Sequence, residues 1–200
     1  MSLRLWSGQC FESSLVDPSQ ACSMTTPLGL ESGVVRLVDY DPRWLELFAA
    51  EAERLHAIIV PLSVALEHTG STAIPGLCAK PILDILAGYD DPARLPDCIA
   101  AFGAAGYVHR GEQGIPGREF FRRGTPRAYH IHLARRGGTF WRDHLRFRDA
   151  LRANPALRDA YARIKRDLAA KYPANREAYI EGKAPFVQEI LTSHQHGADG

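Results

Sequence analysis

The sequence predicts an α/β (α+β) fold, in which a mixed β-sheet is covered by helices and the C-terminal third is helical. Two observations support this prediction. In the first two-thirds of the 200-residue chain, short apolar segments typical of strands are separated by segments of helical period. From Thr139 onward, the apolar residues recur almost entirely at helical spacing. Strands with helices between them, followed by a helical end, are typical of a sheet packed beneath helices.

The individual elements follow from local patterns. Asp41 followed by Pro42 is typical of a helix start, and the apolar residues after it keep helical spacing up to Pro61. The apolar run over 81–89 predicts a central strand, and Gly106 is expected to end a helix. The expected order is a strand at 34–38, a helix at 42–61, strands at 63–69 and 81–89, a helix at 91–107, a hairpin of 118–124 and 128–135, and helices at 140–154, 156–172 and 175–194.

Three segments of different character divide the chain. Residues 1–33 lack any period and are expected to be a flexible leader, 34–192 to be the folded domain, and 193–200 to be a loose tail. No apolar run reaches the roughly 18 residues that a membrane helix needs, and no signal-peptide core is evident. Four irregularly spaced cysteines predict free thiols. A cytoplasmic protein without a membrane partner is the expectation.

The charge is small in total but unevenly distributed. The net charge is +1, while residues 1–100 carry −7 and residues 101–200 carry +8. A near-neutral total argues against bulk nucleic-acid binding, which depends on phosphate neutralisation. The basic second half could frame a nucleotide or another phosphorylated small molecule, although solvated helix faces explain most of its arginines as well. Exposed strand edges would permit a homodimer.

A turn of small residues and a single aspartate form the main candidate site. Gly70, Ser71 and Thr72 follow a predicted strand, where backbone N–H groups and a hydroxyl can contact phosphate oxygens. Lys80 can add a positive charge to such a site. Asp84 lies on the next, apolar strand, and a buried carboxylate there needs a hydrogen bond, an ion pair or a metal.

This spacing resembles the nucleotidyltransferase superfamily, in which a Gly-Ser turn precedes an acid–apolar–acid pattern on the next strand. More closely, the chain is similar to the GrpB family within that superfamily. The resembling stretches are YDPRW (40–44), EHTGSTAIPGLCAKPILDI (67–85), REFF (118–121), HIHL (130–133), LRFRDALRANP (145–155), YARIKRDLAAKY (161–172) and KAPFVQEI (183–190). The resemblance implies a nucleotidyltransferase-like sheet, a nucleotide ligand and a divalent metal, Mg²⁺ or Mn²⁺.

The chain departs from the superfamily pattern at Leu86, where a second acid is expected. Strand alternation places Asp84 and Leu86 on one face, so one ligand of a two-metal site is absent. His130 and His132, about 6.5–7 Å apart along a later strand, could complete the set. Asp84, His130 and His132 would then suit Mn²⁺, Fe²⁺ or Zn²⁺ better than Mg²⁺. Phosphate contact and packing at a sheet edge are the alternatives for the two histidines.

Further candidates surround this site. Arg118 could clamp a phosphate, and Lys183, one turn after Tyr179, could reach the site from the C-terminal helices. Glu67 could replace the absent acid or form a salt bridge with an arginine of the basic half.

Three functions remain open at this point. The first is metal-dependent nucleotidyl or phosphoryl transfer, with His130 or His132 as the general base. The second is a nucleotide- or phosphate-binding module that has lost catalysis. The third is a metalloenzyme that uses the Asp-His-His set.

Overall fold

The computed structural model describes residues 27–193. The expected leader lies outside the described residues up to residue 26, and the expected tail lies outside them from residue 194. Within the described part of the expected leader, Leu30 is buried and its N–H donates to the carbonyl of Arg127. Every helix of the described part is too short or too polar to cross a membrane.

The centre of the molecule is a five-stranded mixed sheet with the strand order β1-β2-β5-β4-β3. Strands β2 and β5 are parallel, and the other neighbours are antiparallel. This arrangement confirms the predicted mixed sheet, with the apolar β2 near its centre. The strands are β1 (Ala65–Thr69), β2 (Leu83–Tyr89), β3 (Val108–His109), β4 (Arg118–Arg123) and β5 (Tyr129–Arg135).

Helices cover both faces of the sheet. On one face, α1 and α2 bury apolar residues of the odd-numbered positions of β2 and β5, such as Ile85 and Ile131, which are fully buried. On the other face, Trp141 of α3 packs directly over Gly88 of β2, where a Cβ atom would lie 2.5 Å from the indole ring. The helices are α1 (Arg43–Ile59), α2 (Leu95–Ala104), α3 (Thr139–Ala153), α4 (Pro155–Lys171) and α5 (Arg176–Ser193).

The prediction of a strand over 34–38 is wrong. Only Val38 forms a bridge, with Ala79, and Val35 donates its N–H to Pro173 instead of to a strand. Val34 is 40% exposed, so the apolar run does not need a place in a sheet. A two-residue strand, β3, forms where none was expected. Both differences arise because long-range pairing, and not local propensity, decides strands this short.

Candidate functional site

A large cleft lies between the second face of the sheet and helices α3, α4 and α5. Its volume is about 770 Å³; Glu67 does not line it, but the other sequence-predicted site residues all do. Those residues are Gly70, Ser71, Thr72, Lys80, Asp84, Arg118, His130, His132 and Lys183. The strand period brings Asp84, Arg118, His130 and His132 together, because even-numbered positions of β2, β4 and β5 lie on the same face of the sheet.

Asp84 lies at the centre of a carboxylate–histidine cluster. Its Oδ1 atom is 3.0 Å from Nδ1 of His130 and 3.5 Å from Nε2 of His132. The strand register explains this contact, since Asp84 pairs with His130 and Leu86 pairs with His132 across the parallel β2 and β5. Burial opposes ionisation, but the hydrogen bonds from the two histidines outweigh it and hold the pKa of Asp84 well below its usual range.

The turn residue Gly70 lies against the same carboxylate. Its backbone has φ 68° and ψ −170°, a conformation that is essentially restricted to glycine. A Cβ atom there would lie 2.5 Å from Oδ2 of Asp84. The Gly70-Ser71 turn and the carboxylate therefore form one continuous surface, which requires the absence of a side chain at position 70.

The Asp84–His130–His132 set fits a divalent metal. The three ligand atoms lie within 4.8 Å of one another, and two of the separations are 3.0 and 3.5 Å. Bonds of about 2.0–2.2 Å from a metal to N and O donors place neighbouring donors about 3–3.5 Å apart. The outer ring nitrogens, Nε2 of His130 and Nδ1 of His132, have no hydrogen-bond partner among residues 27–193. The set therefore has suitable donors and spacing but lacks supporting hydrogen bonds behind the rings.

No second acid joins this set within the described part of the chain. Leu86 is fully buried on the cleft face, at the position where the superfamily pattern has a carboxylate. Glu67 pairs with Leu86 across β1 and β2, but Nη1 of Arg148 donates to its carboxylate at 2.8 Å. This ion pair confirms the salt bridge that the sequence offered as one of two roles for Glu67. The buried Arg148 also donates to the carbonyl of His68, so it fastens α3 to β1.

Three lysines converge on two tyrosine rings at the far wall of the cleft. Lys80 and Lys183 lie 5.4 and 4.7 Å from the ring centre of Tyr179, and Lys165 lies 5.4 Å from that of Tyr161. None of the three forms an ion pair with an acid of residues 27–193. Burial lowers the pKa of Lys80 and of Lys183 to about 8 and that of Lys165 to about 7, and repulsion from nearby lysines and arginines adds to this effect. Asp84 acts on all three lysines at longer range, but no ion pair within residues 27–193 compensates them, and an anion in the cleft would do so.

The buried Lys165 should make the stability of the free protein rise with pH. Its folded-state pKa of about 7 lies below its ordinary value of 10.5, so between these values the unfolded chain binds more protons. The unfavourable contribution is complete below pH 7 and is relieved as the pH rises. We expect Lys165→Met to flatten the rise in unfolding free energy between pH 7 and 9, measured by urea denaturation. Lys171→Met, at an exposed position of the same helix, should retain it; an identical pH profile for both variants would contradict this account.

The side chains of Arg118 and Thr72 already contact protein groups, which limits their availability to a ligand. Arg118 is buried, and its Nη2 donates to the carbonyl of Glu112 at 2.7 Å, while its Nε atom has no partner among the described residues. The hydroxyl of Thr72 lies 3.0 Å from Nε2 of His68, so it is engaged beneath the turn. Ser71 has no side-chain hydrogen bond within residues 27–193, and its hydroxyl remains available to a ligand.

Sequence reasoning missed six acidic, basic or histidine residues that line the cleft: Arg122, Asp143, His144, Arg148, Lys165 and Arg176. A signal existed for Lys165, because it shares the apolar face of α4 with Tyr161 and Ala162, where a lysine is out of place. Nδ1 of His144 lies 2.8 Å from the carbonyl of Phe140, within its own helix. Nothing in the local sequence distinguishes Arg122 or Arg176 from solvated arginines.

Solved structures with the same architecture define the class of protein. The structure of a conserved GrpB protein from Enterococcus faecalis aligns with a TM-score of 0.72 at 34% identity, covering 79% of this chain and 96% of that chain. Cid1 poly(U) polymerase bound to magnesium and 3′-dATP aligns with a TM-score of 0.50 at 12% identity, covering 72% and 49%. At this low identity the second likeness shows the fold alone. The chain has a nucleotidyltransferase fold.

Sequence comparisons identify the family. The family pattern described as "GrpB protein" matches residues 34–193. The Glutamate-rich protein GrpB of Alkalihalophilus pseudofirmus is 37% identical over 174 residues, which cover 82% of this chain and 98% of that protein. UPF0157 protein YqkA of Bacillus subtilis is 37% identical over 155 residues, which cover 77% of this chain but 45% of YqkA. The chain therefore belongs to the GrpB family, as the motifs predicted.

Proposed function

We propose that this chain binds a nucleotide in the cleft, together with a divalent metal on Asp84, His130 and His132. The observation that carries the proposal is the contact between the Gly70-Ser71 turn and Asp84 inside a strongly basic cleft. Seven basic side chains line the cleft, against the two acids Asp84 and Asp143. The basic residues are Lys80, Arg118, Arg122, Arg148, Lys165, Arg176 and Lys183.

The phosphates would lie between the turn and the lysines. The turn of Gly70, Ser71 and Thr72 offers backbone groups and the free Ser71 hydroxyl to phosphate oxygens. Lys80 and Lys183 would neutralise the charge of the phosphates, since neither forms an ion pair within residues 27–193. Arg118, with its buried and unpartnered Nε, would add a donor from β4.

The metal would enter with the nucleotide and would not be permanently bound. Two imidazoles and one carboxylate suit Mn²⁺ or Zn²⁺ better than Mg²⁺, although the family resemblance implies Mg²⁺ or Mn²⁺. Resident metal sites hold their histidines through hydrogen bonds at the outer ring nitrogens. Those nitrogens have no partner here among the described residues. Phosphate oxygens would therefore supply the missing ligands, and the metal would screen their charge.

The buried Leu86 favours binding over the two-metal form of nucleotidyl transfer. That chemistry uses carboxylates to hold two metal ions about 3.5–4 Å apart. One metal on Asp84, His130 and His132 could still stabilise the charge of a departing pyrophosphate. A pyrophosphate-release assay with ATP and Mn²⁺ separates the two cases. Release that is lost in Asp84→Asn would establish metal-dependent cleavage between the α- and β-phosphates, with water accepting the nucleotidyl group when no other acceptor is added. Tight binding without release would favour the binding module.

A thermal-shift experiment tests the proposed binding. ATP, GTP, CTP and UTP would each be added to the full chain with Mn²⁺, Mg²⁺, Zn²⁺ or EDTA. At about 100 times its dissociation constant, the preferred nucleotide should add about 2.7 kcal/mol to the free energy of unfolding. Lys183→Gln removes one charged contact, so about 10 times more nucleotide should be needed for the same shift in melting temperature. Lys171→Gln should leave the required concentration unchanged. The absence of any nucleotide-dependent shift would overturn the proposal.

A further inference from the structure

A second cavity lies at the turn of the β4–β5 hairpin, separate from the centre of the cleft. Its volume is about 540 Å³. Five charged residues line it, and four of them are arginines: Arg110, Arg122, Arg123 and Arg127, with Glu31 as the single acid. This set, named here the arginine pocket, contains neither lysine nor histidine. Its charge is not explained by the nucleotide proposed for the cleft.

Arg127 is the most informative residue of the arginine pocket. Its exposed fraction is 7%, its Nε atom is fully buried without a hydrogen-bond partner, and its side chain forms no ion pair within residues 27–193. The backbone around it is fixed, since its carbonyl accepts the N–H of Leu30 at 3.0 Å. Glu31 and Asp84 act on this guanidinium at longer range, but burial outweighs them. A buried guanidinium without an ion pair is costly, and an anion in the pocket would compensate it.

The neighbouring arginines leave the same deficit of negative charge. Arg122 is half-buried, and its Nε atom also lacks a partner within the described part of the chain. Arg110 is exposed and forms no ion pair within that part. Only Arg123 is compensated, through the buried Glu51. Glu31 lies beyond ion-pair distance of all four arginines, and burial lowers the pKa of both Arg122 and Arg127.

The strand register and the hairpin turn decide which of these arginines lie together. Arg122 pairs with His130 and Arg123 pairs with Tyr129, so these consecutive arginines point to opposite faces of the sheet. The turn after β4 brings Arg127 close enough to Arg122 for the two charges to repel, and Arg110 acts on Arg122 in the same way. Arg122 also lines the cleft, which makes it the wall between the two cavities. The arginine pocket therefore lies next to the cleft, at the hairpin end of the sheet.

We infer that the arginine pocket binds the phosphate group of a second ligand, distinct from the nucleotide in the cleft. A guanidinium presents a planar fork of donors that matches two oxygens of one phosphate, and it does so better than the point charge of a lysine. Several such forks without acids of their own match a phosphoryl group with its multiple oxygens. Apart from Arg122, these residues do not line the cleft, so the inference does not depend on the proposed function.

Calorimetric titration with pyrophosphate, in EDTA and with the full chain, tests this inference. The double variant Lys80→Gln/Lys183→Gln would first disable the cleft. That variant should still bind one pyrophosphate per chain. Adding Arg110→Gln, at an exposed position that should not affect folding, should weaken this binding about 10-fold, and adding Arg127→Gln at least as much. Adding Arg136→Gln, whose guanidinium pairs with Asp90 on the surface, should have no effect.

Two outcomes would overturn the inference. One is that the lysine double variant binds no pyrophosphate, or binds it equally well after Arg110→Gln and Arg127→Gln. The other is that sulfate displaces pyrophosphate with equal affinity, which would show adventitious anion binding only. Arg110→Gln alone should leave metal-dependent nucleotide binding in the cleft intact. Failure of the cleft to bind nucleotide would not affect this test, since the cleft is already disabled in it.

Discussion

Replacing Asp84 with asparagine should abolish metal-dependent nucleotide binding while leaving the protein folded. The amide has nearly the same volume as the carboxylate but lacks its negative charge. Both histidines contact the charged carboxylate through its Oδ1 atom. Losing these charge-assisted hydrogen bonds should also lower the free energy of unfolding by about 1–3 kcal/mol. Calorimetry with Mn²⁺ and ATP measures the binding, and urea denaturation measures the stability.

Asp143→Asn is the matched control for this prediction. Asp143 is the second acid of the cleft lining, lies on α3 and forms no ion pair within residues 27–193, so its loss should leave metal binding unchanged. The double variant His130→Ala/His132→Ala separates the two roles proposed for the histidines. Loss of metal binding supports ligation, whereas undiminished metal binding would count against it and leave phosphate contact or packing as their role. Asp84→Asn with a full metal-dependent shift would refute the metal site.

Gly70→Ala should damage both the stability and the site. The new methyl group would meet Oδ2 of Asp84 at 2.5 Å, and the positive φ of 68° is unfavourable for alanine. Backbone strain of this kind costs about 1–3 kcal/mol, and the steric contact adds to it. We expect a loss of about 3 kcal/mol in the free energy of unfolding and a loss of nucleotide binding. Urea denaturation and a nucleotide titration measure the two effects.

Gly103→Ala provides the comparison for this substitution. Gly103 lies in helix α2 with open space around its Cα, so alanine should stabilise the helix by about 0.5–1 kcal/mol. Nucleotide binding should be unaffected, because α2 lies on the opposite face of the sheet. If both alanine variants had the same stability, the conformation described for Gly70 would be wrong.

Sequence reasoning predicted the sheet, and it predicted which residues would meet at the centre of the candidate site, because both patterns are local and strong. The run containing Asp84 is almost entirely apolar, which predicts a central strand and makes the aspartate conspicuous. Two histidines separated by one residue must share a face of a strand, and the structure places His130 and His132 with ring centres 6.4 Å apart. The spacing from Gly70 to Asp84 then indicated the superfamily.

The residues that sequence reasoning missed depend on contacts between distant segments. Lys165 reaches the cleft because α4 packs against the segment before β2, where its Nζ donates to the carbonyl of Cys78. Arg127 is buried because residues 29 and 30 pack against the hairpin turn. No local sequence pattern predicts this long-range contact. The apolar run at 34–38 failed as a strand for the same reason, since strand pairing requires a partner edge.

The central claim is that one cleft holds a nucleotide and a metal on Asp84, His130 and His132. A crystal structure with Mn²⁺ and a non-hydrolysable ATP analogue, with anomalous diffraction data for manganese, tests it most directly. The account predicts an anomalous peak about 2.0–2.3 Å from one donor atom of each of the three residues. It also predicts phosphates between Ser71 and Lys183. A manganese peak away from Asp84, or phosphates outside the cleft, would contradict the account.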